Sequence, residues 1–295
     1  MFTPTLSVII PSFNCGNIIC DAIDSTLRQT FNNFEIIVID DGSTDDTRFK
    51  LKKYILTNKI IYFYQKNSGL PGARNSGIAL SKGEYVFCLD ADDELMPNAL
   101  SELYASALRT GAGWVVSDLI RVEGNKTEIQ KALLPGNEKL MDIFRKKWSF
   151  QARFYRKDVL DAIGRYDDQQ KYYEDWELYI RLVEKNIPYS HVPLPLYIYK
   201  IRPQSITKQK NFKKNLYYIE RIYRKHYQRF ADKKNSEAAS LYAYYMWQLA
   251  SDYFHKTHCL SATLRCFLQS YKYDPTILYK YLQKCYKLIL RTRPI

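Results

Sequence analysis

Residues 85–93 read YVFCLDADD, a short apolar run followed at once by three acidic residues. Residues 35–41 read EIIVIDD and show the same pattern, an apolar run followed by acidic residues, two predicted strands earlier in the chain. A continuous apolar run of this length is typical of a strand that is buried on both faces of a parallel sheet. Because ligands of open α/β sheets bind beyond the carboxyl ends of the strands, the sequence predicts a ligand-binding edge that is rich in carboxylates.

Strand and helix patterns alternate on both sides of these stretches. We expect strands at 6–10, 35–39, 60–64, 85–89 and 114–117. We expect helices between them at 18–29, 44–56, 71–81 and 97–109, the second of which would be capped by Ser43 or Thr44. This alternation predicts an α/β fold with a parallel sheet that has helices on both faces.

The pattern becomes less regular after residue 120. The segment 121–148 is polar, and we expect one helix in it, at 140–147. Later in the chain the sequence predicts strands at 150–156, 189–192 and 196–199 and helices at 157–163 and 174–185. From about residue 212 onward the pattern is helical only.

The charge of the chain is distributed unevenly. The 295 residues carry a net charge of +13 and are 46% hydrophobic, a composition that excludes a disordered chain. Residues 1–200 contain 25 Lys and Arg against 26 Asp and Glu, whereas residues 201–295 contain 19 against 5. The second segment also holds 13 of the 26 tyrosines. We therefore expect an α/β domain at 1–207 and a basic, Tyr-rich helical region at 208–295.

The cysteines and the N-terminus bear on the cellular compartment. The six cysteines form no CxxC pair and show no zinc-site spacing, which favours free thiols in a reducing environment. No basic stretch precedes the first apolar run, and no window of 18 residues is apolar throughout. We expect a cytoplasmic protein without a signal peptide or a membrane-spanning helix.

Asp90 and Asp92 place two carboxylates near each other at a predicted strand end. Hard divalent cations bind carboxylate oxygens, and substrate phosphates complete their coordination. A metal ion held in this way can neutralise a diphosphate leaving group. The alternative is a polar turn in which Asp92 or Asp93 caps the next helix. The sequence contains neither GxGxxG after the first strand nor GxxxxGK[ST], which disfavours the common nucleotide-binding folds.

Four further stretches carry polar or aromatic groups that could lie at the same expected edge. A carboxylate of Asp40 or Asp41 could bind a base N–H or a ribose hydroxyl, although the pair taken alone favours an Asp-Gly turn and a helix N-cap. Phe13 could stack on a base or close the edge of the core. The glycine-rich helix start that contains Arg74 favours an anionic ligand. Glu174 and Asp175 open a helix, where they suit the helix dipole or provide a general base.

Five motifs occur in one order along the chain: SVIIPSFN, VIDDGSTDDT, NSGLPGARNSGI, GEYVFCLDADDELMP and YEDWELYIRL. Together they resemble the inverting glycosyltransferases of family 2, and the resemblance covers roughly residues 5–207. It implies the GT-A fold, a Rossmann-like and mostly parallel sheet flanked by helices. It also implies transfer of a sugar from a nucleotide sugar to an acceptor in the synthesis of a surface polysaccharide or a lipid-linked glycan.

The resemblance implies roles for individual residues. Phe13 matches the aromatic residue beside the nucleotide base, Asp41 the carboxylate that binds uracil, and Arg74 the arginine beside the nucleotide. Asp90 and Asp92 match the DxD motif, in which Asp92 is the expected ligand of Mn²⁺ or Mg²⁺ and Asp90 lies near the ribose or the metal. A UDP-sugar is therefore the expected donor, although GDP- and dTDP-sugars occur with this fold.

Asp175 matches the catalytic base, which deprotonates the acceptor hydroxyl so that it attacks the anomeric carbon and inverts its configuration. The resemblance implies that Pro11, Asp40, Ala91 and Glu174, which adjoin the matched residues, belong to the nucleotide-sugar site.

One stretch departs from the family pattern. Members often show YRxHxxS after the last strand, where this chain has YKIRPQS at 199–205. Lys200 takes the place of the usual arginine, and Arg202 takes the place of the usual histidine. Arginine does not bind metal, but both cations could hold the diphosphate, or they could belong to a solvated basic loop.

The region beyond residue 212 lies outside the resemblance. Its basic and aromatic helices, including an amphipathic stretch at 277–289, suit an anionic membrane surface or a helical bundle packed on the catalytic domain. No nucleic-acid-binding motif accompanies the charge, so we expect no nucleic-acid partner. Two alternatives stay open: transfer to a polyprenyl phosphate, and a non-catalytic subunit that binds a nucleotide sugar.

Overall fold

The computed structural model describes residues 4–132, 153–202, 211–227 and 236–276, with side chains from residue 239 in the last range. The chain divides into two compact units, Met1–Lys208 and Gln209–Ile295. Within the described residues, no helix has the length and hydropathy needed to cross a membrane.

The described strands of the first unit form a mixed sheet. In chain order they are β1 (Leu6–Ser12), β2 (Phe34–Asp40), β3 (Ile61–Tyr64), β4 (Tyr85–Cys88), β5 (Glu94–Leu95), β6 (Trp114–Glu123), β7 (Lys126–Gln130), β8 (Arg153–Arg156) and β9 (Tyr189–Ile201). Their order across the sheet is β3-β2-β1-β4-β8-β6-β9-β5, and β7 pairs with β6.

The first four strands are parallel and the remainder of the sheet is mixed. β1 pairs with β2 and β4, and β2 pairs with β3, all in parallel. β8 lies antiparallel between β4 and β6, with Arg153 opposite Cys88. The first residue of β8 therefore lies beside the carboxyl end of β4.

The helices of the first unit are α1 (Ile19–Leu27), α2 (Thr47–Leu56), α3 (Leu70–Leu80), α4 (Ala99–Thr110), α5 (Lys157–Ile163) and α6 (Glu174–Glu184). Whereas β3 at the edge of the sheet is largely exposed, the apolar runs that predicted β1, β2 and β4 are buried, and Val8, Ile10 and Phe87 are fully so. Each such side chain contributes about 1.5–3 kcal/mol by burial. Gly77 lets α3 approach β1 closely, since a Cβ atom at this position would lie 2.3 Å from Cγ2 of Ile9.

The α/β fold class is confirmed, and several local expectations differ from the structure. The cap of α2 is Asp46, not Ser43 or Thr44. The two strands expected near residues 189–199 are one long strand, β9, and the hairpin strand β7 was not predicted. The expected helices at 140–147 and 277–289, and the start of the expected strand at 150–156, lie outside the described residues.

The described part of the second unit is helical, as the sequence predicts. α7 (Phe212–Ile222) continues into a π-helical turn at Tyr223–Tyr227, and α8 (Ser236–Thr257) and α9 (Leu260–Tyr273) follow. Glu220 is buried among these helices, where it accepts hydrogen bonds from Tyr253 Oη at 3.0 Å and from Arg265 Nε at 2.8 Å. The ion pair with Arg265 compensates the charge of Glu220, which would otherwise be costly to bury.

Candidate active site

The two acidic stretches meet at one edge of the sheet. β1 lies between β2 and β4, and the three strands run in the same direction. Asp40 ends β2 opposite Ser12 of β1, and Asp90 follows shortly after β4. This is the edge at which ligands bind in such sheets.

Two buried arginines connect Asp90 with Asp175. Arg74 of α3 donates from Nη2 to Asp90 Oδ1 at 2.8 Å and from Nη1 to Asp175 Oδ1 at 3.2 Å. Arg153 of β8 donates from Nη1 to Asp90 Oδ2 at 2.8 Å and from Nη2 to Asp175 Oδ2 at 2.8 Å. These four side chains form a closed arrangement, which we call the arginine–aspartate ring.

Glu174 adjoins the ring and differs from Asp90 in its ionisation. It is buried and accepts a hydrogen bond from Arg74 Nη1 at 2.7 Å. Burial, together with the charge of Asp175, raises the pKa of Glu174 to about 7. Burial acts in the same direction on Asp90, but the charges of Arg153 and Arg74 outweigh it and hold the pKa of Asp90 well below its usual range. Asp90 is therefore ionised at neutral pH, where Glu174 titrates.

Local structure holds Arg74 in place. α3 begins after Gly69, whose φ of +82° is a conformation that favours glycine. The next residue after Arg74, Asn75, exchanges hydrogen bonds with the backbone of Tyr166 at 2.9 and 3.0 Å. The Tyr166 ring centroid lies 5.1 Å from the Arg74 guanidinium carbon, within the range of a cation–π contact.

Asp93 connects the loop after β4 with the end of β9. Its carboxylate accepts hydrogen bonds from Tyr197 Oη at 2.6 Å and from the Lys200 backbone N–H at 2.9 Å. Burial, with the charges of Asp90 and Asp92, raises its pKa well above the usual value. The next helix, α4, is preceded by its cap residue Asn98, so neither Asp92 nor Asp93 caps it.

Asp92 is the acidic residue of this loop best suited to a metal ion. Within the described ranges, no side chain donates a hydrogen bond to its carboxylate. Burial, and next the charge of Asp90, raise its pKa, so a cation bound at this position would stabilise the ionised carboxylate. The described residues contain no group of three or more His, Cys, Asp or Glu arranged to hold a metal. Asp92 therefore fits a hard cation that takes its other ligands from substrate and water.

The two basic residues at the end of β9 adjoin this loop. Lys200 Nζ contacts Glu94 and lies 3.8 Å from Asp21 Oδ2. Arg202 donates to the backbone carbonyl of Asp92. The structure therefore places Arg202 beside the DxD motif and pairs the Lys200 ammonium with Glu94, which follows that motif in the chain. A role of these cations in holding a diphosphate stays a prediction.

Asp40 and Asp41 organise loops at the same edge. Asp40 accepts hydrogen bonds from Tyr62 Oη at 2.6 Å and from the Ser43 backbone N–H at 2.9 Å. Asp41 is buried and accepts from the backbone N–H groups of Ser68 and Gly69, each at 2.8 Å. Gln65 also donates to Asp41, at 2.7 Å. The Asp41 carboxylate thus holds the 65–69 loop and the start of α3 near the strand ends, and the Asp40 carboxylate binds β3 and the turn after β2 at the same edge. Uracil recognition by Asp41 stays a prediction.

Phe13 follows directly after β1 and is the aromatic residue that the sequence predicts to stack on the nucleotide base. Its side chain is 50% exposed, and the next residue, Asn14, has a positive φ of 53°. Asn14 is held by Ser43 and Thr44, at 2.9 and 2.8 Å. An aromatic face that is exposed on a fixed loop can stack on a base. Pro11 and Ala91, also predicted at this site, are buried.

Arg153 is the main site residue that sequence reasoning missed. It lies after a polar segment, and no motif marks it. Its strand is antiparallel, so its first residue, not its last, lies at the ligand-binding edge. Arg153 precedes the aromatic pair Phe154 and Tyr155. Without the order of strands in the sheet, this local pattern does not identify it as a site residue.

Comparison with known proteins establishes the family. The family model described as "Glycosyl transferase family 2" matches residues 7–166. The chain belongs to glycosyltransferase family 2. The match includes the DxD motif and Arg74 and Arg153, and it ends before Glu174 and Asp175.

Characterised and uncharacterised relatives of this family 2 chain cover different shares of it. A GalNAc(5)-diNAcBac-PP-undecaprenol beta-1,3-glucosyltransferase of Campylobacter jejuni is 30% identical over 277 residues, 88% of each chain. An uncharacterized glycosyltransferase of Rickettsia typhi is 46% identical over 99 residues, 34% of this chain and 30% of that protein. The chain thus aligns with about a third of the length of the latter.

Solved structures share the fold. TarS 1-349 of S. aureus in complex with UDP-GlcNAc matches 92% of this family 2 chain and 74% of that chain, with a TM-score of 0.59 and 19% identity. GalNAc-T7 with UDP, GalNAc and Mn2+ matches 68% of this chain and 44% of that chain, with a TM-score of 0.54 and 22% identity. These likenesses support the GT-A fold that the sequence predicts.

Proposed function

We propose that this protein is an inverting glycosyltransferase that moves a sugar from a UDP-sugar to a hydroxyl of a glycan or lipid-linked acceptor. The arginine–aspartate ring carries the proposal, because it brings Asp175 next to Asp90 of the DxD motif, 85 positions earlier in the chain. A base beside a diphosphate-binding edge is the arrangement that displacement of a nucleotide from a sugar requires.

Asp175 acts as the general base in the proposed reaction. It takes the proton of the acceptor hydroxyl while the acceptor oxygen forms a bond to the anomeric carbon. The bond from that carbon to the diphosphate oxygen breaks, and its electron pair leaves with the nucleoside diphosphate. Attack from the face opposite the leaving group inverts the configuration, so one base is sufficient and no covalent enzyme intermediate forms.

We propose that Mn²⁺ or Mg²⁺ takes part and that Asp92 is its principal protein ligand. The ion would neutralise the charge that develops on the diphosphate. Asp90 would act beside it mainly through its charge, because both of its oxygens accept hydrogen bonds from arginines. Arg202, on the Asp92 backbone, would add positive charge next to the diphosphate, and the Lys200 ammonium, which pairs with Glu94, would lie nearby.

Recognition of the nucleotide is proposed at the ends of β1 and β2. Phe13 would stack on the base, and Asp41 would bind the uracil ring or, through the 65–69 loop that it holds, shape the pocket around it. The solved TarS structures with UDP and with UDP-GlcNAc share the fold and are consistent with a UDP-linked donor.

We propose that the domains at 1–207 and 208–295 divide the work, with catalysis in the first and contact with an anionic membrane surface in the second. The outer face of α9 supports this, because four of its large side chains are at least half exposed: Leu260, Leu264, Leu268 and Tyr271. Its inner face is buried, and the segment around it is strongly basic. The Campylobacter relative, whose name includes an undecaprenol-linked substrate, is consistent with work at the inner face of the plasma membrane.

Asp175→Asn tests the proposal, with Asp161→Asn, an exposed residue of α5, as the control. Water can replace the acceptor hydroxyl as the nucleophile. The rate of UDP release from a panel of UDP-sugars therefore reports the activity of the same base before the acceptor is known. We expect a loss of about 10²–10⁴-fold in turnover and unchanged UDP binding. Full activity of Asp175→Asn in this assay would contradict Asp175 as the base, and transfer to a phosphate acceptor that survives the loss of hydrolysis would favour that acceptor, which needs no base. UDP-sugar binding by the wild type without turnover or transfer would favour a non-catalytic subunit.

A further inference from the structure

The two carboxylate oxygens of Asp175 are held unequally. Arg153 Nη2 lies 2.8 Å from Oδ2, and Arg74 Nη1 lies 3.2 Å from Oδ1. Arg74 Nη1 also donates to Glu174, and that hydrogen bond is shorter, at 2.7 Å. Glu174 therefore draws the Arg74 donor away from Oδ1, which leaves Oδ1 as the more weakly held oxygen.

We propose that Arg153 is a positioning residue that anchors Oδ2 of Asp175, so that Oδ1 is the atom that receives the proton of the acceptor hydroxyl. The inference rests on the proposed function. A base whose two oxygens were both held by short hydrogen bonds would have neither oxygen readily available to the proton of the acceptor hydroxyl. Anchoring one oxygen sets the orientation of the other, as the partner residues of catalytic groups commonly do.

The position of Arg153 suits this role. It starts a strand that pairs with β4 and β6, so its backbone belongs to the rigid centre of the sheet. Its side chain is 4% exposed. Its guanidinium spans two carboxylates, with Nη1 on Asp90 and Nη2 on Asp175. A planar fork can hold both at once, whereas the single ammonium group of a lysine cannot reproduce that geometry.

The same contacts connect the two halves of the proposed reaction. Asp90 lies in the DxD motif on the donor side, and Asp175 serves the acceptor. Arg153 fixes the distance between them through one rigid group. A displacement of about 1 Å at such a position can lower the rate about 100-fold. We therefore expect Arg153 to affect turnover far more than donor affinity.

The experiment compares Arg153→Lys, Arg153→Gln and Arg153→Ala with Arg156→Gln, a control in the same strand whose side chain pairs with the exposed Asp158. UDP release from the best UDP-sugar gives kcat and KM, and UDP binding is measured separately. For the Lys and Gln variants we expect kcat to fall about 100-fold, with KM and UDP affinity within about two-fold. Added guanidinium ion is expected to restore part of the activity of Arg153→Ala.

Three results would overturn the proposal. Unchanged kcat in Arg153→Lys and Arg153→Gln would show that Asp175 needs no anchor. A parallel loss of UDP affinity in Arg153→Lys, which keeps the positive charge, would show that Arg153 serves folding or donor binding. A wild-type chain that binds UDP-sugars but never releases UDP would overturn the proposed function itself, which separates that failure from the other two.

Discussion

Replacement of Glu174 by Gln is expected to make the folded chain increasingly stable relative to the wild type as the pH rises from 5 to 8. Glu174 is buried, and burial with the charge of Asp175 raises its pKa from 4.5 to about 7. The folded state therefore prefers the protonated acid. The stability that this preference provides is fully present below pH 4.5 and is lost as the pH rises through 7. A neutral Gln of nearly the same shape does not undergo this loss.

The magnitude follows from the size of the shift. A pKa difference of one unit corresponds to about 1.4 kcal/mol, so the shift on Glu174 represents about 3 kcal/mol in total. Some of this is already lost at pH 5, which lies above the unfolded value. Between pH 5 and pH 8 we expect the Gln variant to gain about 2 kcal/mol over the wild type in free energy of unfolding.

Urea unfolding of both proteins at pH 5, 6, 7 and 8 measures the difference. Glu84→Gln, at an exposed position, is the control for loss of one negative charge. The reasoning fails if the stability of Glu174→Gln relative to the wild type does not rise between pH 5 and pH 8. That result would mean that the hydrogen-bonded ion pair with Arg74, at 2.7 Å, outweighs the cost of burying the charge.

Two further perturbations test the proposed metal and membrane contacts. Asp92→Asn should leave the thermal shift caused by UDP alone unchanged and remove the additional shift caused by Mn²⁺. The reason is that a metal ion that no longer binds the folded state cannot stabilise it. An undiminished Mn²⁺ effect would contradict the assignment of Asp92 as the metal ligand. Leu264→Asp combined with Leu268→Asp should reduce co-sedimentation with vesicles that contain anionic lipid, whereas Phe49→Asp combined with Leu56→Asp, on the exposed face of α2, should not. Equal losses in the two double variants would indicate general hydrophobic adsorption.

The sequence predicts the parallel half of the sheet well because three of its four strands, β1, β2 and β4, are buried along most of their length. Continuous apolar runs such as those within 35–39 and 85–89 are typical of buried parallel strands in a chain whose strands and helices alternate. The mixed half is harder to predict. β9 contains two prolines, which suggested two separate strands, and β7 is exposed along its whole length and so lacks an apolar pattern.

The candidate site shows the same division. Residues at the ends of parallel strands, such as Asp40 and Asp90, could be placed at one edge from sequence alone. Their partners could not be identified, because the hydrogen bonds join residues far apart in the chain, 101 positions for Arg74 and Asp175. Arg153 reaches the edge only because an antiparallel strand is inserted beside β4, and no local pattern encodes that insertion.

The charge balance of the site connects the ring with the proposed metal. Arg74 and Arg153 face Asp90, Asp175 and Glu174, so the buried group carries one negative charge when Glu174 is ionised and none when it is protonated. Arg202 contacts the Asp92 backbone, and its charge offsets the Asp92 carboxylate. Among these described residues, the charges thus leave no positive excess. A diphosphate that enters this edge brings negative charge of its own, and burial there is costly without a cation. A divalent ion that arrives with the donor and binds Asp92 would meet this requirement, which is why the Asp92→Asn experiment and the arginine variants test connected parts of one mechanism.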